Sequence, residues 1–301
     1  MLHARASAAE RRATFRSGLG SGRLLRFPGA LNPLSALLVE ELRFEGVYVS
    51  GAVLAASLGL PDVGLTSLGE VAARSHEIAR VTDLPTLVDA DTGFGGPLNV
   101  ARSIQLFEEL GLAGCHLEDQ VSPKRCGHLE GKSVVPREEM VAKVAAAVAA
   151  RRDPNFVICA RTDARAVEGI DSAIDRARAY VDAGADLIFP EALSGAAEFD
   201  AFRRAIAAPI LANMTEFGKT ELLDVQTLGS IGVNVVIYPV TLLRLAMGAV
   251  ERGLRTLAAE GTQRSSVAEM QTRARLYELL DYDGYTSFES TAFGESTAGG
   301  G

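Results

Sequence analysis

The chain has 301 residues, 48% apolar and 23% charged, with no Trp, a globular composition that excludes disorder, collagen or coiled coil as a description of the whole. Its 30 basic and 38 acidic residues leave a net charge of −8, which argues against nucleic acid as a partner because a phosphate backbone needs a basic footprint. No run approaches 18 uninterrupted apolar residues, so no membrane span is expected; three scattered cysteines, Cys115, Cys126 and Cys159, make no C-x-x-C pair and fit a cytoplasmic chain without a disulfide framework.

In chain order, a basic lead over 1–23 lacks the apolar centre of a secretory signal. Eight short, nearly continuous apolar runs follow: Leu24–Phe27, Val47–Val49, Thr86–Val88, Gly114–Leu117, Phe156–Ala160, Asp186–Phe189, Ile210–Ala212 and Val233–Ile237. Runs of this kind read as strands buried on both faces. Helical stretches are expected between them at 33–44, 67–80, 97–110, 136–151, 168–183, 196–206, 219–229 and 239–260. Pro136 with Glu138 and Glu139 marks one helix start, and Gly184 marks a helix end. Strand and helix alternating at a spacing of about 30 residues predict an α/β fold, a (β/α)8 TIM-type barrel. An open doubly wound sheet is the second option, weakened because no G-x-G-x-x-G follows the first strand. The expectation is a single barrel domain with a C-terminal helical extension over 261–290, including a helix at Val267–Leu280, and a disordered tail over 291–301.

Barrel chemistry sits at the C-terminal ends of the strands, and here those ends are polar. They deliver Tyr48, Ser50 and Gly51; Asp89, Asp91 and Thr92; His116, Glu118 and Asp119; Arg161, Thr162 and Asp163; Glu191; and Asn213, Thr215 and Glu216. Asp89 and Asp91, two positions apart, would share one side of an extended segment. Two hard oxygens there suit Mg2+, or Mn2+ in its place, with Glu118 as a third acid nearby; the plainer reading is a capping turn in which the aspartates accept from nearby N–H groups. Residues 119–135 form a loop long enough for a lid. In it Cys126 stands among Lys124, Arg125 and His128, a setting that lowers a thiol pKa, whereas Cys115 and Cys159 sit inside strand runs as core filler. His76 is expected on a helix surface and His3 in the lead. Arg161 follows a strand and faces the site. Arg244 and Arg273 lie on helical stretches, where their own context suggests a solvated face.

Taken together, VDADTGFG (88–95), HLEDQVSPKRCGH (116–128), DPNFVICARTDA (153–164) and PILANMTEFGKT (209–220) make the chain resemble the isocitrate lyase/phosphoenolpyruvate mutase superfamily. Within it the chain is most similar to the lyases acting on 2-methylisocitrate, because KRCGH marks lyases and phosphomutase members lack the cysteine. The resemblance runs from about residue 12 to residue 285 and implies a Mg2+-dependent carbon–carbon lyase giving pyruvate and succinate. It also implies a barrel whose last helix is exchanged between the subunits of a homotetramer. Carried across by position, Asp89 and Asp91 hold the metal; Ser50, Gly51, Cys126, Gly127, Arg161, Glu191, Asn213, Thr215, Arg244 and Arg273 contact the substrate; and Cys126 is the catalytic acid. One departure is visible: the loop after the second strand reads Ser50-Gly51-Ala52, where those lyases carry further glycines, so Ala52 puts a methyl group at that contact.

Cleavage of a small tricarboxylate needs removal of a hydroxyl proton, breakage of a C–C bond and protonation of the resulting carbanion. Cys126, with His128 beside it, would supply the last proton; Tyr48, Asp62 and Glu118 remain open as the base. Isocitrate lyases share the cysteine motif but are longer chains, and the related 2-keto-acid hydrolases share the paired aspartates without KRCGH.

Overall fold

The computed structural model describes residues 4–125, 127 and 131–293; His3, Cys126 and His128 fall outside them. All eight expected strands form, within two residues of the expected bounds: β1 Leu25–Pro28, β2 Val47–Val49, β3 Thr86–Asp89, β4 Gly114–Glu118, β5 Val157–Thr162, β6 Leu187–Pro190, β7 Leu211–Asn213 and β8 Val235–Tyr238. Strands β2 to β6 pair in chain order, and β8 lies between β1 and β7. Every pairing is parallel. Single parallel bridges at Gly29–Tyr48 and Ile188–Ile210 join the two sheets into a closed ring. At the first of these seams a Cβ on Gly29 would lie 2.1 Å from the Pro239 carbonyl oxygen, so only glycine permits the approach.

The two-residue period of each strand sorts side chains into two cores. Leu25, Phe27, Tyr48, Leu87, Val157, Cys159, Leu187, Phe189, Leu211, Val235 and Ile237 fill the inside of the ring. Val47, Val49, Val88, Cys115, Leu117, Ile158, Ala160, Ile188, Ala212 and Val236 face the surrounding helices. The same alternation carried to the strand ends turns Asp89, His116, Glu118 and Arg161 inward.

The helices, in order, are α1 Ala8–Leu19, α2 Pro33–Glu41, α3 Gly51–Ser57, α4 Leu68–Ala79, α5 Pro97–Glu109, α6 Arg137–Ala150, α7 Ala164–Glu168, α8 Ile170–Asp182, α9 Ala196–Ala205, α10 Val225–Ile231, α11 Thr241–Glu260, α12 Arg273–Leu279 and α13 Tyr282–Phe293. Helix α1 shows what the basic lead is for. Its Phe15 and Leu19 join the inner core under β1, with the Phe15 ring 5.0 Å from that of Phe27; a fully buried Phe contributes roughly 1.5–3 kcal/mol. Its arginines close helix ends. Arg11 donates to the carbonyl of Ala79, the last residue of α4, and to that of Thr82 just past it. Arg12 donates to those of Glu108 and Leu112 around the end of α5, and pairs with Asp153 at 3.1 Å. Cations are favoured there because the last carbonyls of a helix have no partner of their own.

Several sequence expectations shift. The stretch 168–183 forms α8 within two residues of the expected bounds, and an additional short helix, α7, precedes it, separated from it by Gly169 at φ 95°. The helix expected over 219–229 starts only at Val225, where Asp224 caps it by accepting from Thr227 N–H at 2.8 Å. The expected Val267–Leu280 helix is a 3-10 turn over Arg264–Glu269 followed by α12, which Thr272 caps. Helix α13 runs through 291–293, where a disordered tail is expected. His76 is half-buried rather than on the surface, its Nδ1 2.9 Å from the Leu110 carbonyl. Helix α11 buries none of its 20 residues, and Arg275 ties α12 to Glu41 on α2.

Candidate active site

Six carboxylates and three cations converge at the C-terminal ends of β2 to β6. Strand β3 ends at Asp89, and the chain then turns left-handed, so Asp91 sits at φ 46°. The two aspartates therefore meet through a turn and not along an extended strand, with the Asp91 N–H donating to Asp89 Oδ1 at 3.0 Å. Gly51, the first residue of α3 after Ser50, donates its N–H to Asp89 Oδ2 at 3.2 Å. A Cβ on Gly51 would lie 2.9 Å from that oxygen, so a side chain would crowd the carboxylate. Ser50 is buried and Ala52 half-buried. Lys124 reaches in from the long loop to Asp91 at 2.9 Å and Asp62 at 2.5 Å.

On β5, Arg161 is surrounded by acids: Asp163 at 2.9 Å, Glu118 at 3.2 Å and Glu191 at 3.4 Å. Its guanidinium also lies 5.1 Å from the Phe189 ring centre. Glu191 in turn is 3.3 Å from Asn213 Nδ2, and Thr215 is buried close behind in sequence. Asp163 also accepts from Lys132 at 2.8 Å. Beneath, Asp119 accepts from the Asp163 N–H at 2.8 Å, from Thr162 at 2.7 Å and from Tyr180 at 2.8 Å, which fixes the turn that carries Asp163.

The loop over 119–135 has an ordered stem. Gln120 and Val134 form an antiparallel bridge, and the Gln120 side chain holds both the N–H and the carbonyl of Arg125. Gly127 is buried against the site: a Cβ there would fall 2.4 Å from Arg161 Nη2 and 2.6 Å from Glu191 Cγ. The loop residue next to Cys126 therefore touches two of the expected substrate contacts.

Burial controls the titration of this cluster. It pushes Glu118 well above the ordinary carboxylate range and Asp91 up to about 6, with Asp89 adding repulsion. His116, fully buried, is pushed down to about 4 and is neutral at physiological pH. Burial, then Asp89, pushes the Tyr48 hydroxyl well above its usual value, so the Tyr48–His116 contact of 2.8 Å joins two neutral groups. Burial likewise raises the thiols of Cys115 and Cys159, the inert core filler expected.

The residues fit a divalent cation. Asp62, Asp89, Asp91, Glu118, Asp163 and Glu191 outnumber Lys124, Lys132 and Arg161, a surplus that would repel an anionic substrate unless further positive charge were bound. Neither Glu118 oxygen makes a hydrogen bond. No three His, Cys, Asp or Glu side chains among the described residues gather closely enough to hold an ion alone. An ion of the Mg2+ type needs no more than one or two carboxylates, its other positions being left to water and substrate.

Two expected contacts lie apart. Arg244, near the start of α11, pairs with Glu216 at 2.8 Å and stacks on Phe217, at the rim beyond β7. Arg273 is exposed at the start of α12, a segment docked on α2 outside the ring, and within one chain it does not reach the cluster. The sequence places Asp163 at a strand end and Lys124 beside Cys126 without giving either a role in the site, and Lys132 gives no signal there.

A closed ring of parallel strands with a polar cluster and a loop over the strand ends is the architecture of a (β/α)8 enzyme. A profile of the phosphoenolpyruvate phosphomutase family matches residues 15–258, and the chain belongs to that family. Among relatives, it is 62% identical to a protein of Corynebacterium glutamicum named probable 2-methylisocitrate lyase 2, over 94% of this chain and 92% of that one. Its fold also matches a solved oxaloacetate acetylhydrolase bound to 3,3-difluorooxalacetate, with a TM-score of 0.88, 33% identity, and 96% and 98% of the two chains covered. A phosphonopyruvate hydrolase solved with oxalate and Mg++ matches with a TM-score of 0.85 and 30% identity, over 93% and 98%.

Proposed function

We propose that this chain cleaves 2-methylisocitrate to pyruvate and succinate. The observation that carries the reading is the 62% identity to the Corynebacterium protein over nearly both full lengths, with the acid–arginine cluster at the strand ends in support. Asp89 and Asp91 would hold Mg2+, or Mn2+ in its place. The chemistry a divalent cation supplies there is acidification of the substrate hydroxyl and stabilisation of negative charge on oxygen.

The chain's own residues do the rest. Ser50 and the Gly51 backbone, at the start of α3, would border one carboxylate of the substrate, the Gly51 N–H itself holding Asp89. Arg161 and Asn213, with Thr215, face the other carboxylates, Arg as a bidentate partner, and Glu191 orients Arg161 and Asn213. Glu118, whose oxygens accept no hydrogen bond and which lies 3.2 Å from the Arg161 cation, is the base that takes the hydroxyl proton. Asp62 is occupied by Lys124, and the Tyr48 hydroxyl is engaged with His116. Cys126, which precedes Gly127 in the sequence, would protonate the succinate carbanion, and His128, two positions on, would resupply the proton.

The C-terminal segment belongs to an assembly in this reading. Met247, Val250, Leu254 and Leu257 stand exposed along one side of α11, an apolar surface of the kind an assembly covers. A homotetramer that exchanges the C-terminal helices would cover it and carry Arg273 to a neighbour's site. No helix among the described residues is long and apolar enough to cross a membrane, and we place the protein in the cytoplasm. The deciding experiment incubates the purified chain with 2-methylisocitrate and Mg2+ and follows pyruvate and succinate. Equimolar release of both is expected; release of glyoxylate from isocitrate at equal efficiency, or no cleavage, overturns the reading.

A further inference from the structure

Lys132 has no part in the chemistry above, yet its ammonium is buried in the site. The side chain is 2% exposed and pairs at 2.8 Å with Asp163, which is wholly buried. It donates a second hydrogen bond to the Gly127 carbonyl. Taking a lysine out of water costs free energy that an ion pair does not reliably return, so a pair like this one persists where it fixes a geometry. Two geometries meet here. Asp163 grips Arg161 through Nε at 2.9 Å and Nη2 at 3.2 Å, and Gly127 is packed so closely on Arg161 and Glu191 that no Cβ would fit.

We propose that Lys132 is a positioning residue that ties the Gly127 backbone to the Asp163–Arg161 pair, so that loop and arginine keep one relative placement. The inference rests on the proposed lyase reading for its kinetic consequence, though not for the contact itself. Lys132 differs from the residues that touch substrate in acting only through Gly127 and Asp163. Loss of its ammonium leaves Asp163 still paired with Arg161, so the barrel should fold without it.

The test compares Lys132→Met, Lys132→Gln and Lys132→Arg with the parent. Hydrogen exchange over 121–135, measured without substrate, should be at least tenfold faster in the Met and Gln variants and near the parent rate in the Arg variant. Turnover of 2-methylisocitrate should show kcat reduced ten- to a hundredfold with KM within about threefold, and Arg should recover part of it. Parent-like exchange and kcat in Lys132→Gln overturn the proposal, as does a lowered melting temperature with neither of the other changes. If the parent itself does not cleave 2-methylisocitrate, the substrate reading has failed, and the exchange measurement alone decides the role of Lys132.

Discussion

The Tyr48 hydroxyl lies 2.8 Å from Nε2 of His116, with both residues buried inside the ring. The imidazole has Phe189 edge-on at 5.3 Å, and its Nδ1 makes no hydrogen bond. A buried histidine kept neutral makes stability depend on pH. In the unfolded chain it takes a proton near its ordinary value of 6.5; in the fold it resists protonation down to about 4. The unfolded state therefore binds more protons between those values, and stability contributed by His116 is complete above pH 6.5 and lost as pH falls toward 4. Denaturation at pH 7 and pH 5 should show a loss of about 2 kcal/mol from this residue, and His116→Gln should flatten that part of the profile.

Cys126→Ser should keep substrate binding and lower kcat by about 10²–10⁴, the usual worth of a placed proton donor. Steady-state kinetics with 2-methylisocitrate check it. A kcat within a few-fold of the parent removes Cys126 as the acid.

Chelation should abolish activity, with Mg2+ or Mn2+ restoring it, because the site has more acids than cations and an anionic substrate needs the balance redressed. Asp89→Asn should raise the metal concentration needed for half-activity. Cleavage that continues in excess EDTA would contradict the assignment of Asp89 and Asp91.

Arg12→Ala removes donors to two helix-end carbonyls and to Asp153. Those acceptors are left short of partners, so stability should fall by about 3 kcal/mol, read as a lower urea midpoint with an unchanged slope.

Leu254→Glu places a charge in the middle of the exposed apolar face of α11. If that face is an interface, light scattering should show tetramer in the parent and smaller species in the variant, with activity falling as the subunits part. A parent that is monomeric at micromolar concentration rules out the exchanged-helix assembly.

The β/α alternation was legible because each strand is an unbroken apolar run buried on both faces, and period two also shows which strand-end residues point inward. Asp89, His116, Glu118 and Arg161 follow from counting along β3, β4 and β5. Counting along β6 likewise places Glu191 just past its end, whereas Gly127 came only from the family resemblance. Helix boundaries past residue 219 were less legible, because Asp224 and Thr272 each start a helix through a single hydrogen bond that periodicity does not register.

What the sequence determined by itself is the order of the strands, the inward set of polar residues and the family they belong to, all consequences of local pattern. Tertiary structure alone decided the rest. It turned the basic lead into a clamp on helix ends, brought Asp89 and Asp91 together through a left-handed turn, paired Lys124 with Asp62, buried Lys132 against Asp163 and left α11 uncovered. The pairings of Lys124 with Asp62 and of Lys132 with Asp163, and the reach of the lead to distant helix ends, join segments far apart in the chain, and their energies come from desolvation and charge in a shared space that no single stretch of residues specifies.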